Sequence, residues 1–140
     1  MKTWRGHYPI TSFVLAAMRG RGDDVRDGWS VAEQVLYTAC EFWAAVATRS
    51  LTAYLASEPT GRLRAAYVSF SVLRAVRIAS AIHLMTRECP ASPAPGWLDT
   101  RTELLEVQLL DCEDAIDTLI ADYATTHVAL EANSAARDSH

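Results

Sequence analysis

Apolar residues recur at intervals of three and four along most of this chain, the spacing of helices that bury one face. The pattern predicts a short helix near residues 9–18 and three long helices at about 31–57, 61–88 and 100–132. No segment shows the strict alternation that is typical of a half-buried strand. We therefore predict an all-α fold, with a single antiparallel helical bundle over residues 1–132 and a polar tail at 133–140.

The second predicted helix has clear start and stop signals. Ser30 and Glu33 form a Ser-x-x-Glu capping box at its beginning, and Pro59 prevents its continuation. Its few polar residues form one narrow stripe, and almost every other position is apolar. A helix that is apolar over most of its circumference is buried on several sides. The sequence therefore predicts either a central helix of the bundle or a subunit interface.

The last two predicted helices are joined by a stiff loop at residues 89–96, which contains three prolines. Asp99 or Thr100 is expected to cap the last helix, with Glu103 three residues after Thr100. Its apolar positions alternate spacings of four and three, which predicts a heptad seam. The seam comprises Leu105, Leu109, Cys112, Ile116, Leu119, Tyr123, Thr126 and Leu130.

Composition narrows the class of protein. The 140 residues are 50% apolar and 21% charged, with 6 Gly and 5 Pro, which excludes a disordered or turn-rich chain. The net charge of −4 argues against binding to nucleic acid backbones. Three cysteines without a Cys-x-x-Cys spacing indicate free thiols in a reducing compartment, so we expect a cytoplasmic protein. We expect no membrane-spanning helix, because the longest uncharged apolar runs are too short.

The charges are segregated along the chain. Residues 61–88 contain five arginines and one acid, whereas residues 89–140 contain two arginines and ten acids. Because these two segments are expected to pack antiparallel, facing residue numbers share a constant sum, near 190. One arginine face then meets one acidic face, and the pairing sets register more than stability. The predicted pairs are Arg87 with Glu103, Arg77 with Glu113, and Arg74 with Asp117.

The acidic face offers one alternative function. Glu103 and Glu106, like Asp114 and Asp117, are spaced so that their carboxylates converge, and hard oxygen ligands suit Mg²⁺. The spacing resembles that of helical nucleoside-triphosphate pyrophosphatases of the MazG type, which distribute such pairs over two helices, whereas both pairs here lie on one. The resemblance implies a carboxylate-dependent magnesium hydrolase.

The third predicted helix offers a second alternative. Arg77 is followed six residues later by His83, which resembles the ribonuclease motif of HEPN domains, themselves helical bundles. The resemblance implies that Arg77 holds a phosphate while His83 acts as general acid or base. Here the motif lies before the last helix, with Ile after the arginine. Positions six apart also differ by about 240° on a regular helix, so the two side chains diverge unless the helix kinks.

Our main hypothesis is a small non-enzymatic protein that binds another protein and forms a homodimer, with no cofactor. Adaptors, inhibitors, antitoxins and immunity proteins, common among bacterial and phage accessory proteins, are of this type. Tryptophan is enriched at interface hot spots, and an acidic face complements a basic partner. We expect nucleic acid and membrane not to be partners. The candidate partner-binding residues are Trp29, Trp43, Tyr54, Glu106, Glu113 and Asp117.

Overall fold

The fold is all-α in every part of the chain that the structure describes. A computed structural model describes residues 14, 16–19, 29–110 and 113–127. Its helices are α1 (Val31–Ala47), α2 (Leu51–Ala56), α3 (Pro59–Val72), α4 (Val76–Glu88), α5 (Pro95–Leu110) and α6 (Glu113–His127). Residues 14 and 16–19 are also helical, and the rest of the predicted N-terminal helix lies outside the described residues. In the described ranges, no helix has both the length and the apolar character that a membrane span requires.

Helix α1 is the centre of the bundle. It packs against α3, α6 and α2, and most of its side chains are buried, including Phe42 and Trp43 with no exposed surface. Phe42 meets Phe70 of α3 edge-to-face, with ring centroids 5.6 Å apart. Val14 and Met18 belong to the same core. Of the two predictions for this apolar helix, the structure therefore shows the central helix.

The predicted capping box begins α1. The Glu33 backbone N–H donates to Ser30 Oγ at 3.1 Å, and the Ser30 backbone N–H donates to Glu33 Oε1 at 2.9 Å. Two backbone donors at the helix start are thereby satisfied. The prediction of this helix start is confirmed.

The helix predicted over residues 31–57 is divided into α1 and α2. After Ala47 the chain closes a Schellman turn, in which Ser50 N–H donates to Ala45 O at 2.8 Å and Arg49 N–H donates to Val46 O at 3.1 Å. Arg49 has φ 59°, in the left-handed region that usually requires glycine. Its side chain reaches across to α5, with Nε 3.8 Å from Glu106 Oε1.

The segment predicted as one helix over 61–88 is a helical hairpin. A second Schellman turn ends α3, where Ala75 N–H donates to Phe70 O at 2.9 Å and Arg74 adopts φ 65°. Helices α3 and α4 then pack against each other, and Tyr67 and His83 are in ring contact with centroids 4.7 Å apart. The prediction of one long helix was wrong here because this turn contains neither glycine nor proline.

Helix α5 begins earlier than the sequence pattern predicted. Its first residue is Pro95, whose fixed φ suits the first helical turn. Asp99 and Thr100 lie inside the helix, so the prediction that they cap it was wrong. The loop between α4 and α5 is correspondingly shorter, at residues 89–94.

The heptad seam holds only through the first turn of α6. Leu105, Leu109 and Ile116 are buried as predicted. Further along α6 the buried positions are Asp117, Ile120 and Ala124, whereas Leu119 and Tyr123 are half-buried and Thr126 is exposed. Cys112 and Leu130 lie outside the described residues. The buried face therefore shifts, because α6 packs against the central helix α1.

Helix α4 runs antiparallel to α5 and α6, as predicted. Glu88 at the end of α4 forms an ion pair with Arg101 near the start of α5. At the other end, Ala75 and Ile78 line one groove with Ile116 and Leu119 of α6. The observed register of α4 against α5, in which Glu88 pairs with Arg101, is within a few residues of the predicted register.

The two arginines in left-handed conformation generate a prediction about stability. Arg74→Gly is expected to raise the free energy of unfolding by about 1 kcal/mol, because a left-handed backbone strains every residue with a Cβ. Arg49→Gly relieves the same strain but removes the cation beside buried Glu106, so it is expected to stabilise less or to destabilise. Urea unfolding measures both variants. Equal stabilisation by both would contradict the role given to the Arg49 side chain.

Candidate functional site

Three of the four carboxylates predicted as a magnesium site can be placed, and these three do not form a metal site. Glu103 is exposed, Glu106 is buried beside Arg49, and Asp117 is buried on α6. The side chain of Asp114 lies outside the described residues. In the described part of the chain, no group of three or more His, Cys, Asp or Glu side chains is placed to hold a metal ion. The described geometry therefore gives the hydrolase hypothesis no site.

Arg77 and His83 also fail to come together. Both are exposed on α4, which is regular over Val76–Glu88, so the two side chains leave the helix in different directions. His83 lies against Tyr67 of α3, whereas Arg77 lines the groove beside α6. A phosphate held by Arg77 would be out of reach of His83 in this chain. The ribonuclease arrangement is not formed within one copy.

The aromatic residues predicted at an interface form core contacts instead. Trp43 is fully buried and Trp29 nearly so, with the Trp29 ring edge-to-face with Tyr37 at 5.1 Å. Tyr54 is half-buried, and the Arg62 guanidinium lies 4.5 Å from its ring centroid. In the folded chain Trp43 offers no surface to a partner. The side chain of Glu113, another candidate, lies outside the described residues.

Glu106 lies against the start of α2. It is 7% exposed, its Oε1 is 3.8 Å from Arg49 Nε, and its Oε2 has no hydrogen-bond partner among the described residues. Burial raises the pKa of Glu106, and this effect outweighs Arg49 and the Leu51 backbone N–H, which both lower that pKa. Ser50 does not cap α2 with its side chain. Glu106 belongs to α5, but its carboxylate therefore lies where an N-terminal capping side chain of α2 would be.

Two neighbouring hydroxyls extend this contact between α2 and α5. Thr52 and Thr102 form a hydrogen bond, and Thr102 Oγ1 donates to the Asp99 backbone O at 3.1 Å. Thr102 is almost completely buried. These hydrogen bonds satisfy the two hydroxyl groups, which are removed from solvent in the helix contact. They therefore fix the orientation of α2 relative to α5. The burial of Glu106 and Thr102 is thus explained by a structural role at the contact between α2 and α5.

Cys40 is a core residue, as predicted. Burial is the main cause of its raised pKa, and the negative charges of Asp117 and Glu41 raise that pKa further. A thiol with a raised pKa is a poor nucleophile and a poor metal ligand at neutral pH. Cys89 is half-buried and free, and Cys112 lies outside the described residues.

The ion pairs between described residues differ from those predicted. Arg87 and Glu103 are both exposed, yet neither is in an ion pair with the other. Arg74 is exposed and forms no ion pair with Asp117 among the described residues, and the Arg77–Glu113 pair cannot be placed because the side chain of Glu113 lies outside the described residues. The pair that joins the two helices is Glu88 with Arg101, in which α4 supplies the acid. The antiparallel register was correct. The predictions of the Arg87–Glu103 and Arg74–Asp117 pairs within the chain were wrong, whereas the Arg77–Glu113 pair stays a prediction.

The feature that stands out on the surface is apolar. We use the name outer surface for the exposed apolar side chains of α4 and α5: Val76, Leu84, Leu104 and Val107. They are respectively 70%, 55%, 55% and 59% exposed, although side chains of this size are usually inside. Because α4 packs beside α5, these side chains lie on two adjacent helices. Large exposed apolar side chains on adjacent helices are a feature of interaction sites.

A groove of about 230 Å³ lies beside the outer surface, between the α3–α4 turn and α6. Ile78, Ile116 and Leu119 form apolar walls, and Arg74 and Arg77 line it as well. It is smaller than the clefts that enclose most small-molecule ligands. A second cavity, of about 410 Å³, lies between α2 and the loop before α5.

Comparison with known proteins adds no family to this description. No protein-family model matches the chain, no curated protein sequence matches it, and no solved structure matches its fold. The outer surface is therefore the feature of this chain that bears on its function.

The outer surface could not be predicted from the sequence, because its residues belong to apolar patterns that a buried helix would show equally well. Leu84 and Met85 are adjacent, and only Met85 is buried. A signal was present in α5, where Leu104 and Val107 lie on the opposite side of the helix from the seam residues Leu105 and Leu109.

Glu106 generates a prediction about pH. Because burial raises its pKa in the folded state, the folded chain binds this proton more tightly than the unfolded chain. The stabilisation by the bound proton is therefore present at low pH and is lost as pH rises through the folded pKa. Relative to Glu106→Gln, the wild type is expected to gain free energy of unfolding when pH is lowered from 7 toward 4.5.

Urea unfolding of both proteins at several pH values in this window measures the difference. Asp122→Asn is the matched control, because Asp122 is an exposed acid of α6 that lies away from Glu106 and from the outer surface. A difference between wild type and Glu106→Gln that is flat, or that moves in the opposite direction, would contradict the raised pKa.

Proposed function

We propose that this chain is a small, non-enzymatic helical interaction protein that forms a homodimer through its outer surface. The exposure of four large apolar side chains on two adjacent helices is the observation that supports this. Covering them removes apolar area from water, which contributes roughly 25 cal/mol per Å². A dimer brings two such surfaces together and covers both.

A second copy of this chain is the first partner in this proposal, and a different protein is the second partner. Adaptors, inhibitors, antitoxins and immunity proteins all act by binding, with no need for a cofactor. Glu106 and Asp117 are buried, so an acidic contact to a basic partner would come from exposed acids such as Glu103 and Asp99. The buried free thiol of Cys40 is compatible with a reducing compartment, and we propose the cytoplasm.

The proposed homodimer predicts a change in mass on substitution. Leu104→Glu and Val107→Glu are each expected to shift the protein toward monomer, because each places a charge among the apolar side chains of the interface. Sedimentation equilibrium over a range of concentrations measures the dissociation constant, which is expected to rise at least tenfold.

Val31→Glu is the matched control. Val31 is 78% exposed but lies at the start of α1, outside the outer surface, where an acid suits the helix dipole. This variant is expected to leave the dissociation constant unchanged. A wild type that remains monomeric at all concentrations, or equal weakening by Val31→Glu, would disprove the proposal.

A further inference from the structure

The ion pair between Glu88 and Arg101 marks the line along which α4 and α5 meet on the outer surface. At about 100° per residue, Leu84 lies about 40° from Glu88 around α4. By the same geometry, Leu104 lies about 60° from Arg101 around α5. Both leucines are exposed and lie at nearly the same height, so they form an apolar strip across the line of contact between the two helices.

Opposite charges lie on the two edges of this strip. Arg87 is about 100° from Glu88 around α4, and Glu103 is about 160° from Arg101 around α5. Both side chains are exposed, so the surface has a basic edge on α4 and an acidic edge on α5. This separation explains why Arg87 and Glu103 do not pair within the chain, although they lie at the same height.

We infer that the partner on the outer surface is a second copy of this chain, related by a twofold axis parallel to the α4–α5 contact line. This inference rests on the homodimer of the proposed function and specifies its geometry. Such an axis places α4 of one copy over α5 of the other and brings the two apolar strips together. Arg87 of each copy then meets Glu103 of the other, which gives two equivalent ion pairs in one dimer.

The register of this arrangement is fixed by the fold. Rotation about a twofold axis parallel to the helices does not change the position of any residue along the helix axis. The basic edge of one copy therefore faces the acidic edge of the other with no shift along the helices. Glu88 and Arg101 show that residues near 87 in α4 and near 103 in α5 share one height. The predicted pairing of Arg87 with Glu103 is therefore satisfied between copies, while the apolar strip supplies the affinity.

The alternative twofold axis, perpendicular to the helices, is disfavoured by charge. It would place α4 over α4 and α5 over α5, so that the basic edges would face each other. Like charges in an interface oppose association, whereas opposite charges select one orientation. The charge layout therefore distinguishes two dimers that would bury the same apolar strip.

Charge reversal tests the arrangement. Arg87→Glu and Glu103→Arg each replace two attractions in the dimer by two repulsions, so each is expected to raise the dissociation constant about tenfold. Sedimentation equilibrium of the full chain at low salt measures this. The double variant carrying both reversals in one chain is expected to return to within about threefold of the wild type.

Mixing the two single variants separates contacts between copies from contacts within one copy. In a mixed dimer, Glu at position 87 of one chain meets Arg at position 103 of the other, and the second contact retains the native pair. An equimolar mixture is therefore expected to dimerise as well as the wild type, although each variant alone does not. A pair within one chain would not be restored by mixing.

Two exposed charges outside the outer surface provide controls. Arg64→Glu on α3 and Asp122→Arg on α6 are expected to leave the dissociation constant unchanged. Circular dichroism at low concentration checks that each variant is folded. Restoration by mixing supports the arrangement, and weakening by the controls to the same extent would overturn it.

Failure of the proposed homodimer and failure of the twofold geometry give different experimental results. A wild type that is monomeric at every concentration overturns the proposed homodimer and this arrangement with it. A wild-type dimer that Leu104→Glu dissociates, but that charge reversal and mixing leave unchanged, retains the homodimer and overturns the twofold geometry. Loss of dimer in the single variants without recovery in the mixture also overturns the geometry.

Discussion

The burial of most of α1 is the constraint on which the rest of the structure depends. Its 17 residues form a rod of about 25 Å, and the remaining helices must cover that length. One straight helix over residues 61–88 would measure about 42 Å and would project beyond it. Folding that segment into α3 and α4 gives two helices close to the length of α1, of which α3 packs against α1 and α4 packs against α3.

The turns that permit this enclosure leave backbone groups to be satisfied. The Schellman turns satisfy carbonyl groups at the ends of α1 and α3, and Glu106 from α5 lies at the start of α2. The cost of burying the Glu106 carboxylate is visible in its raised pKa. Polar residues of the last two helices are thus used inside the bundle, which leaves Glu103 and Asp99 as exposed acids of α5.

The class of fold and the central helix could be predicted, because a capping box and an unbroken apolar pattern are local signals. The two turns could not be found from Gly or Pro, since Arg49 and Arg74 occupy the positions where glycine is expected. A weaker signal existed in the spacing, because Val46 and Leu51, like Leu73 and Ile78, are five positions apart rather than three or four. The candidate sites could not be predicted, because exposure of Leu104 or burial of Trp43 depends on which helices pack together.

Arginine in a left-handed turn also has a consequence in the genetic code. Every arginine codon becomes a glycine codon by one change at its first base, so glycine at positions 49 and 74 is always a point mutation away. Selection for stability alone would accept that change wherever the side chain is dispensable. Arg49, with Glu106 beside it, is a position where the guanidinium has a use that glycine cannot replace. A left-handed arginine with a buried carboxylate beside it is thus a feature that a survey of helical bundles can search for, as a sign that the side chain outweighs the backbone.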